Sequence, residues 1–423
     1  MHVAIIGNGV TGVTCALRLR EQQPDWRITL ISGESKYHYS RPALMYVFMG
    51  HMRYEDTKPF EDSFWEAKNL NLVRAWVTRI DVENKSLELH GQPPMTYDKL
   101  LLATGSKSNK FGWPGQDLDG VSGLWGLFDL KKMYDSVGRT THAVIVGGGL
   151  IGIEMAEMLH SRGVHVSILI RESSYWNNIL PPEESAMVAR HIEELGFDLQ
   201  RETELDSILA DDQGRVRAVK TKDGREIACQ FVGLTAGVSP NVDLLKGSEI
   251  PVGRGILVDQ GLRTSIPDVY AAGDCAEIET SEEERNLIQQ VWYTGKMQAE
   301  VVADNIAGGE RSYDPGIWFN SAKFLDLEYH TYGLVHRQVE GEQNLYWEHP
   351  DGKRAVRIVY TDECVIGFNL MGIRWSHVTC EAWLRDKVSL QHVLDHIRDA
   401  NFDPEFFEQC EPLAAQAFQG QLR

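Results

Sequence analysis

The residues with the clearest chemical potential in this chain are glycines. Gly7, Gly9 and Gly12, in Gly7-Asn8-Gly9-Val10-Thr11-Gly12, follow an apolar run at 3–6 and lead into a helix-like run at 13–22. In that setting the first glycine takes a tight turn, the second lets backbone approach a pyrophosphate, and the third lets helix and strand pack closely. Amide groups at the start of the helix then point at the phosphates. The same unit recurs as His142-Ala143-Val144-Ile145-Val146-Gly147-Gly148-Gly149-Leu150-Ile151-Gly152. Two copies, each between an apolar run and a helix-like run, make coincidence remote and predict two dinucleotide sites.

Such a unit also needs an acidic residue about 20 positions past the glycines to take the ribose hydroxyls. Past Gly12 that place holds Ser32, so the first ribose is assigned to Glu34, two residues on. Past Gly152 it holds Glu172, which favours NADH, whereas the adjacent Arg171 would hold the 2′-phosphate of NADPH. Both nucleotides remain open. Glu154 stands near the start of the second helix, where it either complements the helix dipole or forms a buried acid of raised pKa.

Strands are expected at 27–31, 72–80, 86–90, 98–104 and 164–170, and a glycine-ended one at 268–274, with a helix over 291–307. Tyr37 to Leu44, with Arg41 before Pro42, reads as a loop because a residue preceding proline leaves helical geometry. Asp211, Gly214, Asp223 and Gly224 punctuate short hairpin strands. From about Tyr313 the character changes to an α+β module, ending in helices that carry Trp383, Leu384, Val388, Leu390, Val393, Leu394 and Ile397. Alternating strands and helices before that point imply α/β architecture with parallel sheets.

The 423 residues suffice for several domains. A net charge of −19 without a basic block argues against nucleic acid and anionic membrane as partners. The first strand leaves no room for a signal peptide and no long apolar run appears, so a cytoplasmic location is expected. The six cysteines show neither C-x-x-C nor zinc spacing, and neither a metal site nor a disulfide framework is expected.

Taken in order, the first glycine motif, Leu101 to Ser106 (LLATGS), Gly147 to Glu154 (GGGLIGIE), Thr235 to Asn241 (TAGVSPN) and Val269 to Glu277 (VYAAGDCAE) resemble the pyridine nucleotide–disulfide oxidoreductase superfamily. The resemblance implies two Rossmann-like domains: an FAD domain at 1–112 and 250–310, and an NAD(P)H domain inserted at 113–249. A C-terminal α+β interface domain at 311–423 implies a homodimer. It further implies that Gly7, Gly9, Gly12, Glu34, Arg41, Val77, Thr104, Gly105, Gly237, Gly273 and Asp274 contact cofactor, with Val77 near the adenine, and that Gly147, Gly149, Gly152 and Glu172 hold the nicotinamide nucleotide.

Where the disulfide reductases of the superfamily carry a flavin-side cysteine, this chain has Ser40-Arg41-Pro42, so no thiolate is available for disulfide chemistry. The loop is similar to that of ferredoxin and rubredoxin reductases, apoptosis-inducing factor and the flavin portion of NADH-dependent nitrite reductase. Many of these pair a lysine after the loop with the position of Glu154; no lysine lies between Lys36 and Lys58 here. The resemblance implies an enzyme that passes electrons from NADH or NADPH through non-covalent FAD to an external acceptor, with Glu154 as the catalytic candidate. The acceptor expected is an electron-carrier protein. A nucleotide-responsive interaction module with slow turnover is the alternative.

Overall fold

A computed structural model describes residues 1–280, 286–336, 339–402, 405 and 408–422. The chain forms two compact units, the first comprising Met1–Phe111, Ser122–Gly138 and Gly237–Pro315, and the second Gly112–Val121, Arg139–Ala236 and Gly316–Arg423.

The first unit is built on a parallel sheet in the order Val269–Ala271, Lys99–Leu102, His2–Ile6, Arg27–Ser32, Asn71–Arg74. Its strands are continuous apolar runs because both faces are covered: Val3, Ala4, Ile5, Leu100, Leu101 and Leu102 are fully buried. From the central strand His2–Ile6 the chain proceeds one way to Arg27–Ser32 and later the other way to Lys99–Leu102. This reversal opens a crevice at the carboxyl ends of the strands, the place where open α/β sheets bind ligands. Helix Val10–Gln22 packs on helix Trp292–Ile306, and Arg18 and Asp304 fasten the two with bonds of 2.6 and 2.9 Å. A small antiparallel sheet of Val77–Asp81, Ser86–Leu89 and Gln92–Thr96 completes the unit.

The second unit repeats the plan with parallel strands Asp198–Gln200, His165–Leu169, His142–Val146 and Phe231–Leu234, in that order. The repetition extends to detail. His2 bonds Thr29 across the first two strands of one sheet, and His142 bonds Ser167 across the equivalent strands of the other, both at 2.9 Å. The residues from 316 onward contribute an antiparallel sheet ordered Phe319–Phe324, Leu327–Gly333, Val365–Met371, Ala355–Tyr360, Gln343–Glu348, backed by helices His377–Arg385, Leu390–Asp395 and Glu411–Gln421.

Several details differ from the sequence expectation. Arg41–Ala43 forms a 3-10 helix and Leu44–Met49 an α-helix, where a loop through Leu44 was expected; proline is tolerated in the first turn of a helix, where its missing N–H has no partner to lose. Helix Leu127–Val137 and residues 237–249 cluster with the first unit, whereas the expected insert included them; their hydrogen bonds run to Val47, Glu34, Gly105 and Lys107. The C-terminal sheet clusters with the inserted nucleotide unit because buried Arg357 reaches Glu184 with two bonds of 2.8 Å. Val388 lies between helices, its carbonyl accepting the Val365 amide.

Candidate dinucleotide sites

In each unit the strand-to-helix turn is set by a glycine that no other residue could replace. Gly7 has φ +116° and Gly147 φ +125°, and a Cβ on either would strike a backbone carbonyl, Ala103 or Thr235. The next motif glycine is different in kind. A Cβ at Gly9 or Gly149 would meet no protein atom within 4 Å, so the space beside these two N-caps is left open by the protein itself. Neither helix is capped by a side chain, and neither has an acidic residue in its first turn. Uncapped amides carrying the positive end of the helix dipole beside open space fit an anionic pyrophosphate.

Around the first motif the structure gathers residues distant in sequence. Gly273 and Gly295 both abut the Thr11 side chain, and the Gly273 amide donates to Gln298 Oε1 at 2.7 Å, which brings the Ala272-Gly273-Asp274 turn to the helix start. Asp274 Oδ2 accepts from Ser106 Oγ at 3.0 Å, and Ser106 in turn accepts from Gln290 Nε2 at 2.7 Å. Burial raises the Asp274 carboxyl above its ordinary range, against the Ser106 bond and the Arg41 charge. Thr104 donates to the Asn241 carbonyl at 2.7 Å and Asn241 returns its amide to Gly105, while the amide of Asn109 donates to Gly237. The LLATGS and TAGVSPN segments are thereby clipped together as strands Ser106–Ser108 and Val238–Pro240.

Glu34 has a larger role than the sequence suggested. Oε1 accepts from Tyr39 Oη at 2.8 Å, Arg41 Nη1 at 3.3 Å and the Leu127 amide at 2.8 Å, and Oε2 accepts from Arg41 Nη2 at 2.7 Å. Arg41 also donates to the Trp125 carbonyl at 2.7 Å. The carboxylate therefore ties the loop at 35–43 to the start of helix Leu127–Val137, and only Oε2, with a single donor, retains free acceptor capacity. Buried Asn8, inside the glycine motif, holds the other end of the loop through Ser35 and His38. Val77 opens the antiparallel strand opposite Leu89 and packs on the core. Tyr39, Ser106, Gln290 and Leu127 were given no role from the sequence: Tyr39 and Ser106 stood inside segments already singled out, but the other two carry no local pattern.

In the second unit Tyr175 donates to the carbonyl of N-cap Gly149 at 2.8 Å. Glu172 pairs with its neighbour Arg171 at 2.8 Å. Glu154 lies one turn into helix Leu150–His160, and burial pushes its carboxyl up to about 7, with the Lys323 charge opposing and Glu157 reinforcing the rise. The Lys323 whose charge opposes this rise stands on strand Phe319–Phe324, outside the segment 37–46. Its Nζ lies 2.9 and 3.0 Å from the two Glu157 oxygens.

Among the described residues no helix is long and apolar enough to cross a membrane, and no group of three or more His, Cys, Asp or Glu is placed to hold a metal ion. The described cysteines are all free, and burial raises the Cys15 and Cys275 thiols, which removes them as nucleophiles.

Comparison with known proteins gives relatives in both sequence and structure. A family model described as pyridine nucleotide-disulphide oxidoreductase matches residues 1–299. The ferredoxin–NAD(+) reductase component of the biphenyl dioxygenase system of Paraburkholderia xenovorans (strain LB400) is 30% identical over 302 residues, 71% of this chain and 73% of that protein. Nitrite reductase [NAD(P)H] of Bacillus subtilis (strain 168) is 28% identical over 374 residues, 88% of this chain but 45% of that longer protein. Among solved structures, a ferredoxin reductase from Rhodopseudomonas palustris superposes with a TM-score of 0.79 at 25% identity, covering 88% of this chain and 91% of that one.

Proposed function

Since the chain belongs to the pyridine nucleotide–disulphide oxidoreductase family and is an FAD-dependent NAD(P)H oxidoreductase, we propose that its electron acceptor is a separate electron-carrier protein. The observation that carries this reading is the pair of uncapped glycine helices in a chain that has Ser40-Arg41-Pro42 where the superfamily's disulfide reductases carry a cysteine. Bound FAD supplies the step from a two-electron donor to one-electron acceptors. The protein's own residues bind and orient.

The first unit would hold FAD. The amides after Gly9 would hold its pyrophosphate, with Gly7 and Gly12 shaping the turn, Glu34 Oε2 would take the ribose, and Val77 would border the adenine. Arg41, Thr104, Gly105, Gly237, Gly273 and Asp274 line the remainder, Asp274 being aimed by Ser106. In the second unit Gly147, Gly149 and Gly152 receive the nicotinamide dinucleotide. Glu172 takes its ribose hydroxyls, which favours NADH, and Arg171 is the group that would admit NADPH. Glu154, two residues past the motif in the same helix, is the catalytic candidate. We place the protein in the cytoplasm as a homodimer, the dimer resting on likeness of the C-terminal module to the family's interface domain.

The test is steady-state turnover with a purified iron–sulfur carrier as acceptor against oxygen alone. Carrier-dependent oxidation of NADH at least about tenfold above the oxygen rate supports the proposal. Equal rates with and without carrier would refute it.

A further inference from the structure

Strands Phe319–Phe324 and Leu327–Gly333 join through a two-residue turn, Leu325-Asp326. Such turns ordinarily face water and carry asparagine, aspartate or glycine, because their backbone enters the left-handed region. Here Leu325 takes φ +61°, and Phe324, Leu325 and Leu327 are all buried. What the turn packs against explains the apolar choice. Asp326 pairs with Nε2 of buried His191 on helix Pro182–Glu194, and Lys323 pairs with Glu157 on helix Leu150–His160. Phe324 meets Tyr175 and Trp176 edge-on with ring centres 6.2 and 5.5 Å apart, and Tyr329 meets Trp176 at 5.9 Å. Trp176 has φ +57°, a conformation that bulky residues rarely adopt, so the ring contacts hold backbone where it would not rest by itself. The stretch that follows strand His165–Leu169 is thus gripped at Trp176 by the C-terminal hairpin. Next to it, Tyr175 donates to the carbonyl of N-cap Gly149 at 2.8 Å, and further back the Glu172 carbonyl accepts the Glu202 amide at 3.1 Å.

We infer that Trp176, clasped by Phe324 and Tyr329 of the C-terminal hairpin, is a positioning residue that fixes the stretch presenting Arg171 and Glu172, so that the C-terminal module sets the choice between a dinucleotide with free ribose hydroxyls and one with a 2′-phosphate. A carboxylate selects the first by accepting from the hydroxyls and rejects the second by like charge, and both effects need the carboxylate in one place. Arg171 is about three-quarters exposed and Glu172 about one-quarter, so it is the carboxylate whose place depends on packing. With the ring removed, the stretch must be ordered by the nucleotide as it binds, which costs affinity where Glu172 is the contact. A loosened Glu172 also turns away from a 2′-phosphate and leaves it to Arg171. Loss of the ring therefore weakens binding of the 2′-hydroxyl dinucleotide more than that of its phosphorylated form.

The inference rests on reading the second motif and Glu172 as the nicotinamide-nucleotide site, and the experiment separates the two. Calorimetric titration of the FAD-loaded protein with NAD+ and with NADP+ gives the ratio of the two dissociation constants without any turnover. Trp176→Ala is expected to weaken NAD+ binding about tenfold and NADP+ binding about threefold or less, so that the preference for NAD+ falls at least about threefold. Trp176→Phe, which keeps a ring, should retain the wild-type ratio. Phe324→Leu, which stays apolar but loses the ring, should follow Trp176→Ala, and it carries the same test if Trp176→Ala does not fold. Phe368→Leu is the control for a merely weakened module: Phe368 is fully buried in the same sheet against Trp375 and Trp383, and this variant should leave the ratio unchanged. An unchanged ratio in both Trp176→Ala and Phe324→Leu, or a shift of the same size in Phe368→Leu, would overturn the inference while leaving the site reading intact. No binding of either nucleotide to the wild-type protein, or a wild-type ratio in Glu172→Ala, would overturn the site reading and the inference with it. Circular dichroism of each variant confirms that the fold is retained.

Discussion

Glu34 accepts four hydrogen bonds, three of them from Tyr39 and Arg41 a few positions along the loop and one from the Leu127 amide far along the chain. A truncation here takes an acceptor from buried Tyr39, from Arg41 and from the Leu127 amide, and on the proposed reading it removes a ribose contact as well. Each such loss costs about 1–3 kcal/mol. Glu34→Ala is therefore expected to weaken FAD retention at least about tenfold, measured as flavin released on dialysis; flavin content equal to wild type would show that the ribose and the loop do not depend on this carboxylate. Gly9 makes a sharper probe because φ is −70° and a Cβ there touches no protein atom. Gly9→Ala should leave the stability of the apoprotein within about 0.5 kcal/mol yet reduce FAD affinity severalfold, and Gly149→Ala should raise KM for NADH in the same way. Equal FAD affinity in Gly9→Ala would place the pyrophosphate elsewhere.

At the scale of elements, the strand-turn-helix units were legible because their constraints are local and steric: Gly7 and Gly147 adopt positive φ, and the apolar runs feeding them are buried on both faces. What could not be read were pairings that ignore sequence distance. Lys323 meets Glu157 across 166 positions and Leu127 meets Glu34 across 93, and neither leaves a periodicity or a motif behind. The segment 122–138 was included in the expected insert at 113–249 for the same reason, since its tie to Glu34 through the Leu127 amide leaves no mark in the sequence. The packing of helix Val10–Gln22 on helix Trp292–Ile306 offers a pH test. Arg18, with Gln22 and Arg311, holds the Asp304 carboxyl down at about 2, below its ordinary 3.8. A depressed carboxylate stabilises the fold above its unfolded pKa and ceases to as pH falls through its folded value. Discounted for solvent screening of the part-exposed partners, the contribution is about 1–2 kcal/mol. Asp304→Asn should accordingly lower Tm at pH 7 by a few degrees and by much less near pH 2, where about half of the carboxyl is already protonated; an equal loss at both would mean that packing, not charge, is at stake.

Over the whole molecule, a net charge of −19 has consequences for the partner. An acidic carrier is repelled at long range, so association should be helped by salt that screens the repulsion, with kcat/KM for such a carrier rising as ionic strength increases toward about 0.15 M. A steep fall instead would point to a local basic patch that attracts the carrier. The central claim is simpler than the choice of carrier: one glycine helix holds FAD and the other delivers NAD(P)H to it. Anaerobic stopped-flow mixing of the FAD-loaded protein with NADH, and separately with NADPH, tests it most directly. The account predicts bleaching of the oxidised flavin band faster than about one per second with at least one of the two nucleotides. Bleaching slower than that with both would contradict it and return the chain to the class of nucleotide-responsive interaction modules.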